Sequence, residues 1–182
     1  MTNVLENRQA SKWSKKAQLG RLLWGLFQPL FRFSPRPLWA WRRLMLRGFG
    51  AKIGAHVHIH PTVKITIPWN LDIHDMAAIG DCVILYALGP ITLGKASTIS
   101  QYAHICAGSH DFRDGQMTLT KPPITIGDDV WIAADAFIGP DVKIGDRALI
   151  GARAVITSDV KENSIMIGNP AQYVSNRYKA NT

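Results

Sequence analysis

The chain has 182 residues, is 47% hydrophobic and carries 21 Lys and Arg against 13 Asp and Glu, for a formal net charge of +8. This length and apolar content point to one domain with a real core. The charge is uneven: residues 1–52 hold eleven basic residues and one acid, residues 53–182 ten and twelve. Such a basic segment suits nucleic acid or an anionic membrane. Its aromatics are mixed with Leu and Phe and match no RNA-binding motif, so nucleic acid is not expected as a partner.

Residues 1–16 are polar, read as frayed, and contain no apolar core that would make a signal peptide. Residues 17–28 read as a helix, stopped or kinked at Pro29. The segment Ser34-Pro35-Arg36-Pro37 is a break, and a second helix starts at Ser34 or Pro35 and runs to about Arg47, ended by Gly48 and Gly50. Leu22, Leu26 and Leu30 share one helical face, and Leu38, Trp41, Met45 and Phe49 another. The run Leu19–Phe33 is broken by Arg21, Gln28, Pro29 and Arg32 and is too short to span a bilayer. Both stripes are expected to cap whatever follows. With the charge and Trp13, Trp24, Trp39 and Trp41, residues 17–50 are also expected to touch an anionic membrane surface.

From Ile53 the pattern changes. Isoleucine or leucine recurs every six residues at 53, 59 and 65, slips by two to 73, 79 and 85, and slips by two again to 93, 99 and 105. After a polar stretch, Asp111–Pro123, it runs unbroken through Ile126, Ile132, Ile138, Ile144, Ile150 and Ile156. The interval from Ile105 to Ile126 is twenty-one residues, three more than one coil of three hexads. Six is even, so the strand alternation is kept from hexad to hexad; it is not a multiple of 3.6, so no helix keeps these residues on one face. A hexad is too short to return through a hairpin and must be one wall of a stacked coil. Fifteen hexads make five coils, about 24 Å of stack at roughly 4.8 Å each. The isoleucine points inward, the residue four places on is small or β-branched where walls converge, and Gly one place on relieves the corner. Beyond Asn163 the pattern fades, and Ile167-Gly168-Asn169-Pro170-Ala171 leads into an expected short terminal helix within residues 170–182.

These hexads, Ile-Gly-x-x-Val-x, resemble the left-handed parallel β-helix acyltransferases. The resemblance covers residues 52–178 and includes His110 in Ile105-Cys-Ala-Gly-Ser-His-Asp111, Lys121-Pro122-Pro123-Ile124, Trp131, and the tail Gly168-Asn-Pro-Ala171. The Asp after the His and the basic, Trp-rich leader look most like the sugar O-acetyltransferases of colanic acid and exopolysaccharide synthesis. The resemblance implies an all-β fold, a left-handed parallel β-helix with short N-terminal helices, assembled as a homotrimer. It implies acetyl-CoA as co-substrate and a saccharide acceptor, lipid-linked or otherwise; the signal-free start and the basic leader add the expectation of a cytoplasmic place at the inner face of the membrane. Cys82 and Cys106 are then reduced thiols in a cytosolic chain.

On this resemblance His110 is the general base, since imidazole titrates near neutral pH. Acetyl-CoA contacts carry over to Trp131, Ala134, Ala152, Thr157 and Ser158. Where many relatives have Thr-Lys this chain has Thr157-Ser158, and where they have Asn-Pro-Ala-Arg it has Gln172. A basic group for the nucleotide phosphates must therefore come from Lys161, Arg153 or Arg177. Asp111 and Tyr86 are placed by position as acceptor contacts. Ser109 is expected inward at the small-residue place, and there is no Gly-x-Ser-x-Gly elbow, which disfavours a covalent intermediate.

Two other classes are weighed. His74, His104 and His110 suggest the zinc site of β-helical carbonic anhydrases, although the spacings fit poorly; His56, His58 and His60 alternate outward on one edge and could bind metal, or simply make an exposed wall. A non-catalytic hexapeptide scaffold is the third class.

Overall fold

The computed structural model describes residues 12–178. Strands of two or three residues, with the isoleucine buried and the residue before it facing outward, form three parallel walls. The first wall is Lys52–Ile53, Leu71–Ile73, Ile91–Leu93, Ile124–Ile126 and Lys143–Ile144. The second contains His58–Ile59, Ala78–Ile79, Thr98–Ile99, Trp131–Ile132 and Leu149–Ile150. The third is Lys64–Ile65, Ile84–Tyr86, His104–Cys106, Phe137–Ile138 and Val155–Ile156. The chain visits them in rotation five times, as the fifteen hexads require. Ile59, Ile79, Ile99, Ile132 and Ile150 pair in direct register up the second wall, each at most 1% exposed. Burying each such side chain contributes about 1.5–3 kcal/mol. Ser97, in a small-residue place, is the polar exception and is satisfied: its hydroxyl donates to Gly127 O (2.7 Å) and accepts from Val130 N (2.9 Å).

The corner glycines do a different job from the one expected. The left-handed residue lies three places after the isoleucine and is never glycine: His56, Cys82, Ala96, Tyr102 and Asp141 have φ of 53–63°. Glycine one place after is needed for close approach, because a Cβ on Gly94 would sit 2.2 Å from Gly127 O in the next coil. Beside these contacts aspartates tie coil to coil. Asp75 accepts from Ala55 N (2.7 Å), Asp128 from Lys95 N (2.7 Å) and Asp146 from Asp128 N (2.9 Å).

Both two-residue slips, and the polar excursion, fall at one corner, between the third and first walls. Ile53 pairs with Ile73 and Ile73 with Leu93, twenty residues per coil, whereas Ile126 pairs with Ile144, eighteen apart. Leu93 pairs with Ile126, thirty-three residues on. Ile105 and Ile126 thus stand on successive walls, and the excursion adds fifteen residues to a plain coil, not the three that the spacing suggests. The upper slips build a platform for it. Asn70 Nδ2 donates to Ala87 O and Leu88 O (both 2.9 Å), Gly89 N donates to Ala107 O (2.7 Å), and Leu88 packs against Gly108.

The leader forms helices α1 (Lys15–Arg32) and α2 (Trp39–Gly48). Helix α1 starts earlier than expected, with Ser14 Oγ accepting from Ala17 N, so Lys15 and Lys16 are helical; the fraying expected of residues 1–11 lies outside the described residues. It runs through Pro29 to Arg32, because Trp24 and Phe31 on either side are both locked into the core. Helix α2 begins at Trp39, later than expected, and its end is turned by Gly50 at φ +87°. The capping face is Trp24, Phe31, Met45 and Leu46, whereas the expected stripe Leu22, Leu26 and Leu30 faces outward. Side chains of the leader fill the open carbonyls of the first coil. Trp24 Nε1 donates to Ile65 O (2.8 Å), Arg42 Nε to Ile59 O (2.6 Å), Arg43 Nη1 to Val57 O (2.9 Å) and Arg47 Nη2 to Ile53 O (2.6 Å).

At the far end the expected terminal helix is absent among the described residues. Ser164–Gly168 joins the second wall, and Ala171–Asn176 returns antiparallel against it as a strand. The six-residue return alternates its side chains across a strand rather than around a helix.

Arg42→Leu should lower the unfolding free energy by at least about 2 kcal/mol in chemical denaturation, because the carbonyls of Ile59 and Arg36 lose a buried donor. Ile144→Asp should abolish folding, since an inward carboxylate has no partner there. A soluble, folded Asp variant would contradict the inward register.

Candidate active site

His110 opens the excursion on a two-residue strand, Ser109–His110, which pairs antiparallel with Leu119–Thr120. Ser109 is exposed, not inward as expected, because the chain has already left the wall; Ala107 fills the core instead. As neighbours on one strand, Ser109 and His110 send their side chains to opposite faces, so the histidine does not activate the hydroxyl. Cys106 is no better a nucleophile: burial pushes its thiol up, and its Sγ donates to Gly108 O (3.4 Å).

The His110 ring has a defined tautomer. Its Nδ1 lies 2.6 Å from Met117 O, and a carbonyl can only accept. In the neutral ring Nδ1 therefore carries the hydrogen, and Nε2 offers a free lone pair. The ring is exposed, so Nε2 can take a proton from an approaching hydroxyl. The Met117 carbonyl is aimed by Asp114: its main-chain oxygen accepts from Met117 N (2.8 Å), and its carboxylate accepts from Gln116 N (3.0 Å) and the Thr118 hydroxyl. The Thr118 and Gln116 bonds hold the Asp114 carboxyl below the usual carboxylate range. Nothing in the sequence pattern singled out Asp114 or Met117. The visible signal was a short Asp-Gly turn within the polar stretch.

Tyr86 and Asp111 lie at the same corner as His110. Tyr86 pairs in register with Cys106, and Asp111 N donates to Thr118 O (2.9 Å) in the excursion. Lys121 closes the excursion: its Nζ donates to Lys12 O (3.1 Å) and lies 3.5 Å from the Trp13 ring centroid, so the leader touches this loop, a contact the sequence reading missed.

The residues carried over for acetyl-CoA do not all gather around His110. Trp131 stands on the outer face of the second wall, 45% exposed, donating from Nε1 to Ser100 Oγ (3.0 Å). Ala134 and Ala152 stack one above the other at the corner between second and third walls, where Arg153 N donates to Ala134 O (2.9 Å). Thr157 and Ser158 follow the third wall, on the same corner as His110 but lower in the stack. Lys161 comes after Val160, which bridges to Ile144 of the first wall. Arg177 is committed to Asp129 O (2.5 Å), and Arg153 lies 3.5 Å from Asp135 on the surface, so among the described residues Lys161 is the one of these three cations without such a tie.

Three of the histidines weighed as metal ligands are engaged in other contacts. His58 stacks on Trp39 with ring centroids 4.7 Å apart, and His60 Nδ1 lies 3.0 Å from Asp81 Oδ2. His104 packs edge-on between Tyr86 and Phe137, and burial pushes its pKa down. His74, His104 and His110 occupy different walls or corners. Among the described residues no three His, Cys, Asp or Glu side chains converge as metal ligands.

Comparison with known proteins agrees with this architecture. Residues 123–158 match the bacterial transferase hexapeptide (six repeats). Over 157 residues, 86% of each chain, the sequence is 45% identical to an Escherichia coli (strain K12) protein named as the colanic acid biosynthesis acetyltransferase WcaF. A hexapeptide-repeat acetyltransferase of Vibrio cholerae, solved with acetyl-CoA, superposes with a TM-score of 0.84 at 25% identity, covering 93% of each chain. A maltose O-acetyltransferase from Clostridium difficile 630 shares the fold with a TM-score of 0.82 at 21% identity, covering 97% of each chain.

Asp114→Ala should release Met117 and leave the His110 ring free to populate both neutral tautomers. Nitrogen NMR of the imidazole reads this directly: wild type should show Nδ1–H, the variant a mixture. Because the Asp114 carboxyl is held low, its contribution is present above the usual carboxylate range. It is lost only as pH falls through the depressed value, so the turn that Asp114 closes, read from its backbone amide signals, should persist in mild acid.

Proposed function

The chain belongs to the hexapeptide-repeat acetyltransferases, and from that premise we propose that it transfers acetyl from acetyl-CoA to a saccharide hydroxyl in exopolysaccharide assembly of the colanic acid type. The observation that carries the mechanism is the 2.6 Å contact between His110 Nδ1 and Met117 O, which leaves Nε2 as the base. Nε2 takes the proton of the acceptor hydroxyl as its oxygen attacks the thioester carbonyl. The tetrahedral intermediate collapses, the C–S bond breaks, and the imidazolium returns the proton to the departing thiolate. The products are the O-acetyl sugar and CoA. Met117 O supports the imidazolium while it exists, which is a charge-assisted hydrogen bond made stronger in the transition state.

Tyr86 and Asp111, at the same corner, are the acceptor contacts in this reading. Ala134 and Ala152 present little side-chain bulk along their corner, which suits an extended pantetheine arm, with Trp131 beside it and Lys161 toward the phosphates. His110 and this corner lie on opposite edges of the third wall. A homotrimer resolves the separation: the His110 corner of one prism faces the Trp131 and Ala134 side of the next, and the heterologous contact closes after three copies. This encloses an imidazole that is exposed in the single chain and supplies the water-poor cleft that thioester chemistry favours.

His110→Ala should lower turnover at least about a hundredfold, followed as thiol release with a panel of sugar acceptors, while acetyl-CoA binding stays near wild type. His110→Asn, which keeps a donor toward Met117 O but has no basic nitrogen, should be equally slow. Retention of more than about a tenth of the activity in either variant removes His110 from the role of base.

A further inference from the structure

Helices α1 and α2 turn one face to the first coil and leave the other bare. Leu19, Leu22, Leu23, Leu26 and Leu30 recur three and four residues apart along α1 and make one outward row; Leu22 and Leu26 are 63% and 66% exposed. Phe33 and Leu38 continue this surface beside Leu30, Phe33 at 79% exposed. Trp41 Nε1 donates to Leu30 O (3.3 Å) and joins the two helices, so the apolar surface is continuous across them. It is larger than a cap needs, because the cap uses Trp24, Phe31, Met45 and Leu46.

The charge around this surface has one sign. No Asp or Glu occurs between Glu6 and Asp72. Three of the arginines in that span, Arg42, Arg43 and Arg47, are turned inward to carbonyls of the first coil. Others remain outside. Arg21 and Arg32 lie eleven residues apart, three helical turns, on one flank of the leucine row, and with Lys64 they line an open groove floored by Trp24 and Phe31.

We infer that the outer face of α1 and α2 docks the protein on an anionic lipid bilayer. An interfacial surface of this type sinks its leucines to the acyl boundary and holds cations at the headgroups. Helix α1 lies flat in this arrangement, since no helix among the described residues is long and apolar enough to cross a membrane. A second copy presenting this same face fits poorly: two such surfaces would meet with cations on both sides and no acid on either, a costly like-charge contact. The four tryptophans are not the anchor that composition suggested. Trp24 is in the core, Trp39 stacks on His58, Trp13 contacts Arg21 and Lys121, and only Trp41 belongs to the outer face. The inference is independent of the catalytic role of His110, and its readout is not turnover.

The test is co-sedimentation of the full chain with vesicles of phosphatidylcholine alone and of phosphatidylcholine with phosphatidylglycerol. The protein should pellet with the phosphatidylglycerol vesicles at low salt and be released at high salt. The triple change Leu22→Gln, Leu26→Gln and Leu30→Gln alters only exposed side chains, so the melting temperature should hold while binding weakens at least about thirtyfold. The pair Arg21→Gln and Arg32→Gln should weaken binding about twentyfold. Full-length protein that stays in the supernatant at low salt overturns the inference. So does a leucine variant that binds like wild type. If the leucine variant instead loses an oligomer in sedimentation velocity while vesicle binding is unchanged, the face belongs to a second copy and the inference fails.

Discussion

A stack of coils begins with a row of carbonyls that have no strand above them. Each one buried without a donor costs about 1–3 kcal/mol, and an uncovered row is also a template for end-to-end pairing. Here the donors come from side chains rather than from another strand. Trp24, Arg42, Arg43 and Arg47 reach down from the two helices to the oxygens of Ile65, Ile59, Val57 and Ile53. Arg42 is wholly buried without a carboxylate: its remaining donors go to Ser34 Oγ, Pro35 O and Arg36 O, and its guanidinium lies 4.7 Å from the Trp39 ring centroid. The basic leader thus has an inner set of cations that closes the prism and an outer set that stays in solvent.

The walls were legible because their signal is arithmetic. A period of six survives any choice of outward residue, and the inward residues repeat in kind. The leader was less legible because α1 has two apolar faces. Trp24 and Phe31 form one and the leucines the other, and a hydrophobic stripe does not say which of two candidates meets the core. The direction of the terminal segment was misread for a related reason. A six-residue stretch after a break carries too little periodicity to separate a strand from a helical turn, and its partner, Ser164–Gly168, is only recognisable once the second wall is in place.

The site was legible at His110 and obscure around it. The histidine stands out because the hexads stop at that point. Its tautomer depends on Met117 O, which depends in turn on the turn that Asp114 closes, and these are contacts between residues with no repeat to mark them. The two-residue slips looked like irregularities of the repeat. They are the thickened corner on which the excursion rests, with Asn70, Leu88 and Gly89 as its supports.

The contacts that close the prism are near neighbours along the chain. Arg47, Arg43 and Arg42 reach residues six, fourteen and seventeen places on, and Trp24 one forty-one places on. The lid is therefore made before the vessel, and it can settle on the first coil as soon as that coil leaves the ribosome. Each later coil then finds a finished edge waiting, and all but the one that carries the excursion need only eighteen or twenty residues to add to it. Assembly that starts at the amino end proceeds coil by coil, and the catalytic excursion is then laid down after three coils, on walls already standing.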